Sequence, residues 1–102
     1  MSTPATAPLA IVEDMTIYHA AEQKQQLVAA LAQADELQID LSAVAEIDTA
    51  GFQLLILVKR EAQRLGKRAR IVAHSAAVRE VVDFFNMAAE FGDPMLMPAP
   101  EA

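Results

Sequence analysis

Residues 37–57, LQIDLSAVAEIDTAGFQLLIL, predict a short apolar strand, a loop rich in acidic and hydroxyl side chains, and then a strongly apolar helix. The strand is expected at residues 38–41, and Asp48 and Thr49 stand where the helix should begin. The N-terminus of a helix carries backbone N–H groups without partners and a partial positive charge, so it attracts carboxylates and phosphates. Thr49 is therefore the first candidate for a functional residue.

The sequence on both sides of this stretch alternates between strand and helix patterns. Strands are expected within residues 9–17, 38–41 and 68–73, and helices within residues 19–34, 51–65 and from Ser75 onward. This alternation favours parallel strands joined by right-handed crossover helices. Functional sites in such sheets gather beyond the carboxyl ends of the strands, so the loop 42–51 is the expected position of the site.

Composition narrows the class of protein. The chain has 102 residues, of which 54% are hydrophobic and 22% charged, as expected for one folded domain. A net charge of -6 argues against binding to duplex nucleic acid, and the absence of cysteine excludes disulfides and cysteine-based chemistry. No apolar run, including the one at residues 54–58, is long enough to cross a bilayer, and no signal-peptide pattern begins the chain. We therefore expect a cytoplasmic protein that is not embedded in a membrane.

The expected domain spans residues 9–97. Residues 1–8 contain two prolines and read as a flexible leader, and residues 98–102 read as a tail. Residues 95–97 are a candidate for a last short apolar segment of the domain.

Two interpretations of Thr49 follow from the residues alone. Asp48 and Thr49 have the side chains that cap helices, and such a cap contributes about 1 kcal/mol. Alternatively, the Thr49 hydroxyl is exposed and accepts a phosphate, which would add nearly two negative charges beside Glu46 and Asp48.

The predicted helix after Gly51 has more apolar residues than its core-facing side needs. That side consists of Gly51, Leu54, Leu55, Val58, Ala62 and Leu65. Phe52, Ile56 and Leu57 fall outside it. They are either further core residues or a patch that docks a partner, and their solvent accessibility distinguishes these alternatives.

No catalytic constellation is present in the sequence. It contains neither a G-x-S-x-G nucleophile elbow nor a G-x-x-x-x-G-K-[ST] phosphate loop. His19 and His74 are far apart in the chain and belong to no metal-binding pattern. We therefore expect a protein that is not an enzyme and that holds no cofactor or metal.

The motif D-L-S-x-V-x-x-I-D-T-A-G at residues 40–51 resembles that of the STAS domain, the sulfate transporter and anti-sigma factor antagonist domain. The resemblance extends over about residues 9–95 and includes the apolar helix that ends near Gly66, the strand at residues 70–72 and the helix that begins Ala77-Val78-Arg79. It implies an α/β fold with a small, mostly parallel sheet of about four strands, flanked by three to four helices.

The resemblance also implies a function based on binding. In single-domain members, the hydroxyl residue directly after the aspartate is phosphorylated by a partner kinase, usually an anti-sigma factor; that residue is Thr49 here. The unphosphorylated form binds the kinase, which then releases its target, and a phosphatase resets the switch. By the same analogy the partner would be a serine/threonine kinase-type anti-sigma factor or a chemosensory protein. The partner-binding surface would comprise Asp48, Thr49, Ala50, Gly51, Phe52 and Ile56.

A second assignment is also consistent with the resemblance. Some members with threonine in this motif are cytosolic subunits of lipid-transport ABC complexes, in which Thr49 would contact a transporter component without being modified. Under either assignment we expect the isolated chain to be a monomer.

Overall fold

The computed structural model describes residues 5–90 of the chain, with side chains through residue 86. Strands and helices alternate in the order β1 (Thr6–Ala10), α1 (Ala20–Ala32), β2 (Glu36–Leu41), α2 (Thr49–Arg64), β3 (Arg68–His74) and α3 (Ala76–Glu90). The three strands are parallel, and β2 lies between β1 and β3. The predicted α/β architecture, with helices connecting parallel strands, is therefore confirmed.

The sheet is smaller than predicted within the described residues. It has three strands there instead of about four, and all of its pairings are parallel. The candidate segment 95–97 and the predicted tail 98–102 lie outside the residues that the structure describes.

The start of the chain differs from the prediction. β1 begins at Thr6, so the leader expected at residues 1–8 is wrong for its last three residues. Pro8 misled the prediction, but a proline fits in this strand because β1 lies at an edge of the three-strand sheet, where one side of the backbone needs no donor. The first strand was expected within residues 9–17, but it ends at Ala10, and Met15 forms only an isolated bridge with Ile47.

The core lies between the sheet and the two helices α1 and α2. Alternate residues of β2, namely Leu37, Ile39 and Leu41, are 0% exposed, because their side chains point to the face that the helices cover. The predicted apolar side of α2 is buried with one exception. Leu65 is 42% exposed, because the helix ends at Arg64 and Leu65 occupies the C-cap position.

One lysine connects the ends of two helices. Gly66 follows α2 with a φ of 70°, and the N–H of Lys67 donates to the carbonyl of Ala62 at 2.7 Å, so the predicted glycine stop is confirmed. The Lys67 ammonium donates to the carbonyls of Leu31 at 2.8 Å and Ala32 at 3.3 Å in the last turn of α1. A cation at this position offsets the partial negative charge of the C-terminus of α1.

Candidate functional site

The loops that follow β1 and β2 are joined at the carboxyl edge of the sheet. The N–H of Met15 donates to the carbonyl of Glu46 at 2.9 Å, and the N–H of Asp48 donates back to the carbonyl of Met15 at 3.1 Å. The Asp14 carboxylate accepts from the N–H of Glu46 at 3.2 Å. These bonds hold the first turn of α2 against the loop that leads into α1.

Asp48 is the residue that caps α2. Its Oδ1 accepts from the N–H of Gly51 at 3.1 Å, and its Oδ2 accepts from the N–H of Ile17 at 3.1 Å. Thr49 is the first residue of the helix and is exposed, and its hydroxyl makes no hydrogen bond within residues 5–90. The cap interpretation therefore applies to Asp48 and leaves the Thr49 hydroxyl accessible.

Gly51 is required by a close approach between α2 and the preceding loop. A Cβ at this position would collide with the carbonyl oxygen of Met15 and would lie 2.7 Å from the Cβ of Met15 and 2.9 Å from the Cγ1 of Ile47. Only glycine fits without moving the backbone. Gly51 is buried, so it shapes the site from below and has no side chain to offer a partner.

Phe52 also lies inside the domain. Its ring is 5% exposed and stacks on the ring of Phe85 in α3, with centroids 4.3 Å apart and an interplanar angle of 8°. The core alternative therefore holds for Phe52. Ile56 is half-buried and Leu57 is 36% exposed, so the predicted apolar patch on α2 is only partly accessible.

An open groove separates the start of α2 from α3. Its volume is ≈ 330 Å³, and its walls consist of Asp48, Thr49, Glu80, Val81, Phe84 and Phe85. We call it the Thr49 groove. Phe84 is 65% exposed and meets Phe85 edge-on, with centroids 5.5 Å apart. The groove thus places an apolar ring and a hydroxyl next to each other at the surface.

A family model described as "Mlab, STAS domain" matches residues 2–97. The chain belongs to the STAS domain family. No curated protein matches it at a significant level. STAS domains generally interact with other proteins.

The α3 side of the Thr49 groove in this STAS domain was missed by sequence reasoning. The helix expected from Ser75 onward is confirmed, and the Oγ of Ser75 caps it by accepting from the N–H of Val78 at 3.2 Å. The sequence spaces Val78, Val81, Val82 and Phe85 on one side of this helix, but that pattern does not indicate that α3 lies beside Thr49. Phe84 falls outside that spacing, and this position was the only indication in the sequence that its ring is exposed.

The polar groups at the ends of the strands include one perturbed carboxylate. Asp40, near the end of β2, accepts from the hydroxyl of Ser42 at 2.6 Å and from its N–H at 2.9 Å. These bonds, the hydroxyl bond first, lower the pKa of Asp40 below its ordinary value because they stabilise the charged form. This turn orients the start of the loop that leads to Thr49.

Neither a metal site nor a membrane-spanning helix is found in the part of the STAS domain that the structure describes. No group of three or more His, Cys, Asp or Glu side chains is placed where it could hold a metal ion among residues 5–90. In the same residues, no helix combines the length and the apolar character that a bilayer span requires.

Proposed function

We propose that this STAS domain is a non-enzymatic regulator that works by binding another protein and is switched by phosphorylation of Thr49. Its partner is a kinase-type anti-sigma factor or a chemosensory protein, and its mode of action is that of an anti-sigma factor antagonist. The observation that carries the proposal is the exposed Thr49 hydroxyl, which is free because Asp48 supplies the helix cap.

A phosphate on Thr49 acts on binding more than on folding. It adds about two negative charges at the N-terminus of α2, where the helix dipole favours them. The same charges stand beside Asp48 and Glu80 and against the exposed ring of Phe84. A partner that places an apolar group in the Thr49 groove would have to desolvate this dianion, so the phosphorylated form binds more weakly.

The proposed contact surface follows from the burial of each residue. Asp48 and Thr49 are exposed, and Ala50 and Ile56 are half-buried, so these four can touch a partner directly. Gly51 and Phe52 also belong to the partner-binding residues expected from the sequence. Both are buried, so they contribute to the surface indirectly, by fixing where α2 begins.

The test is to incubate the purified protein with ATP and a kinase encoded by a neighbouring gene, and to locate the phosphate by mass spectrometry. Phosphate is expected on Thr49 of the wild-type protein and is expected to be absent from Thr49→Val. Ser42→Ala is the matched control, because it removes another exposed hydroxyl, and it is expected to be phosphorylated like the wild type. The proposal fails if the wild-type protein takes up no phosphate, or takes it up elsewhere than at Thr49.

A second candidate function is that of a constitutive cytosolic subunit of a lipid-transport ABC complex. The threonine of the motif favours it, because this residue also occurs in such subunits, and the accessible hydroxyl of Thr49 then contacts the partner unmodified. Stable co-purification with a membrane ATPase, equal for wild type and for protein treated with phosphatase, selects this alternative.

A further inference from the structure

Charge is distributed unevenly along this chain. Six of the eight Lys and Arg residues lie between positions 59 and 70, and none lies between positions 25 and 58. The basic segment covers the end of α2 and the start of β3, whereas Thr49 is at the opposite end of α2. At about 1.5 Å per residue, the basic segment begins about 15 Å along the helix from Thr49, at Lys59, and continues away from it.

The edge of the domain that carries Thr49 is acidic. Glu13, Glu46, Asp48 and Glu80 are all exposed there. None of the four takes part in an ion pair within residues 5–90, where the salt bridges join Arg64 to Glu61, Arg70 to Glu36 and Arg79 to Asp83. Asp48 is held by two backbone N–H groups, whereas Glu13, Glu46 and Glu80 have no salt-bridge partner among the described residues.

Exposed apolar side chains accompany these carboxylates in the loop 12–18. Ile17 is 70% exposed, Tyr18 is 89% exposed and Val12 is 69% exposed. The loop is held beside Thr49 because the N–H of Ile17 donates to Asp48, the residue that also caps α2. Thr49 is therefore flanked by this loop and, across the groove, by Phe84 of α3.

We infer that the loop 12–18 is a second contact element for the protein partner, and that this partner presents Lys or Arg side chains around an apolar group. The inference rests on the proposed function, because it assumes that the partner binds at Thr49. Large exposed apolar side chains rimmed by charge are typical of protein interfaces, and aromatic residues such as Tyr18 often supply much of the binding energy. A basic rim on the partner complements Glu13, Glu46 and Glu80 and orients the encounter. The apolar group inside that rim faces Thr49 in the groove, where a phosphate would have to be desolvated, so phosphorylation still weakens binding.

The Asp48 carboxylate holds the loop 12–18 and the start of α2 in a fixed arrangement, so that they form one continuous surface. Asp48 fixes the start of α2 with one oxygen and the loop with the other, each through a 3.1 Å bond to a backbone N–H. A partner that contacts Ile17 or Tyr18 is thereby held in a fixed position relative to the Thr49 hydroxyl.

The experiment uses the full chain and two synthetic peptides of equal length, one of alternating Arg and Leu and one of alternating Glu and Leu. Each peptide is titrated into the protein while the backbone amide signals of the protein are followed by NMR. The Arg-containing peptide is expected to shift signals of residues 12–18 and 46–49 and of Phe84, with an affinity that falls as salt is added. The Glu-containing peptide is expected to bind at least about tenfold more weakly.

Matched variants separate the apolar contacts from general attraction between charges. The pair Ile17→Ser and Tyr18→Ser is expected to weaken binding of the Arg-containing peptide by about tenfold. The control pair Leu65→Ser and Val72→Ser removes side chains that are 42% and 50% exposed elsewhere, and is expected to change it by less than about twofold. Thermal unfolding of both double variants establishes that they are folded.

The inference is overturned if the shifts are centred outside residues 12–18, residues 46–49 and Phe84, if both peptides bind equally, or if the Ile17 and Tyr18 double variant binds as well as the wild type. Self-association through this edge, detected as concentration-dependent shifts without peptide, also overturns it and identifies a second copy as the occupant. Phosphorylation of Thr49 is measured separately. A chain that is phosphorylated there but fails the peptide test refutes only the inference, and one that binds the peptide but is never phosphorylated refutes only the switch.

Discussion

Replacing Gly51 with alanine is expected to destabilise the domain by about 2–3 kcal/mol, although alanine is the better helix former. The new Cβ would lie 2.7 Å from the Cβ of Met15 and 2.9 Å from the Cγ1 of Ile47. Carbon atoms prefer separations of about 3.5–4.0 Å, so the start of α2 and the loop before α1 must move apart by about 1 Å.

The expected magnitude combines three effects at this contact. Forcing a methyl group into a packed position typically costs about 1–3 kcal/mol. Separation also strains the two hydrogen bonds that Met15 makes with Glu46 and Asp48, each worth about 1 kcal/mol. The higher helix propensity of alanine offsets about 1 kcal/mol of this loss.

Thermal unfolding followed by circular dichroism, together with urea denaturation, measures the effect. A loss of this size lowers the midpoint by about 10–20 °C in a domain of this length. Gly66→Ala is the control, because a Cβ there meets no atom within 4 Å and only the positive φ opposes it, at about 1–2 kcal/mol. A Gly51→Ala variant that is as stable as the wild type, or more stable, refutes the close approach described above.

Three further predictions concern the switch, the third helix and the acid range. Thr49→Glu is expected to change the free energy of unfolding by less than about 0.5 kcal/mol, because Thr49 is exposed and is not the cap. The same variant is expected to weaken partner binding more than about tenfold. Thermal melts measure the stability, and calorimetry with the partner measures the affinity. Phe85→Ala removes the ring that stacks on Phe52 and is expected to destabilise the domain by about 1–3 kcal/mol, with amide hydrogen exchange accelerating first in α3. Ser42→Ala is expected to raise the pKa of Asp40 toward its ordinary value in an NMR titration, since the hydroxyl bond is the main cause of its lowering. Because folding lowers this pKa, the stabilisation from Asp40 is present above the unfolded pKa and is lost as the pH falls through the folded pKa.

Each of these three predictions has a control and a contradicting result. Thr49→Val separates the effect of charge from that of losing the hydroxyl, and unfolding of Thr49→Glu would mean that Thr49 holds the fold. Phe84→Ala removes an exposed ring and is expected to be much milder than Phe85→Ala, so equal losses would contradict the proposed stacking role. A pKa of Asp40 that does not move in Ser42→Ala would contradict the assigned cause.

The motif at residues 40–51 predicted the centre of the fold well. It placed the end of β2 and the start of α2 correctly, because side chains that cap helices and apolar runs act locally. Sequence reasoning offered Asp48 and Thr49 together as a cap, and the structure assigned that role to Asp48 alone. The second donor to this carboxylate, the N–H of Ile17, is 31 residues away in the chain, so no local pattern could have indicated it.

The remaining features depend on contacts that local patterns do not contain. Whether Phe52 is exposed is decided by Phe85, which belongs to a different helix. The strand at Thr6–Ala10 was hidden because prolines usually mark loops, and only its place at a sheet edge accommodates Pro8. Periodicity therefore located the helices, but their mutual arrangement determined which residues form the groove.

The hydrogen bonds from Lys67 to the end of α1 can form only late in the synthesis of the chain. The carbonyls of Leu31 and Ala32 leave the ribosome long before the lysine that binds them, which is 36 positions further along than Leu31. Lys67 can reach these carbonyls only after it has itself left the ribosome, so until then the last turn of α1 lacks this cation. A chain that ends before Lys67 therefore leaves the last carbonyls of its first helix without their cationic partner.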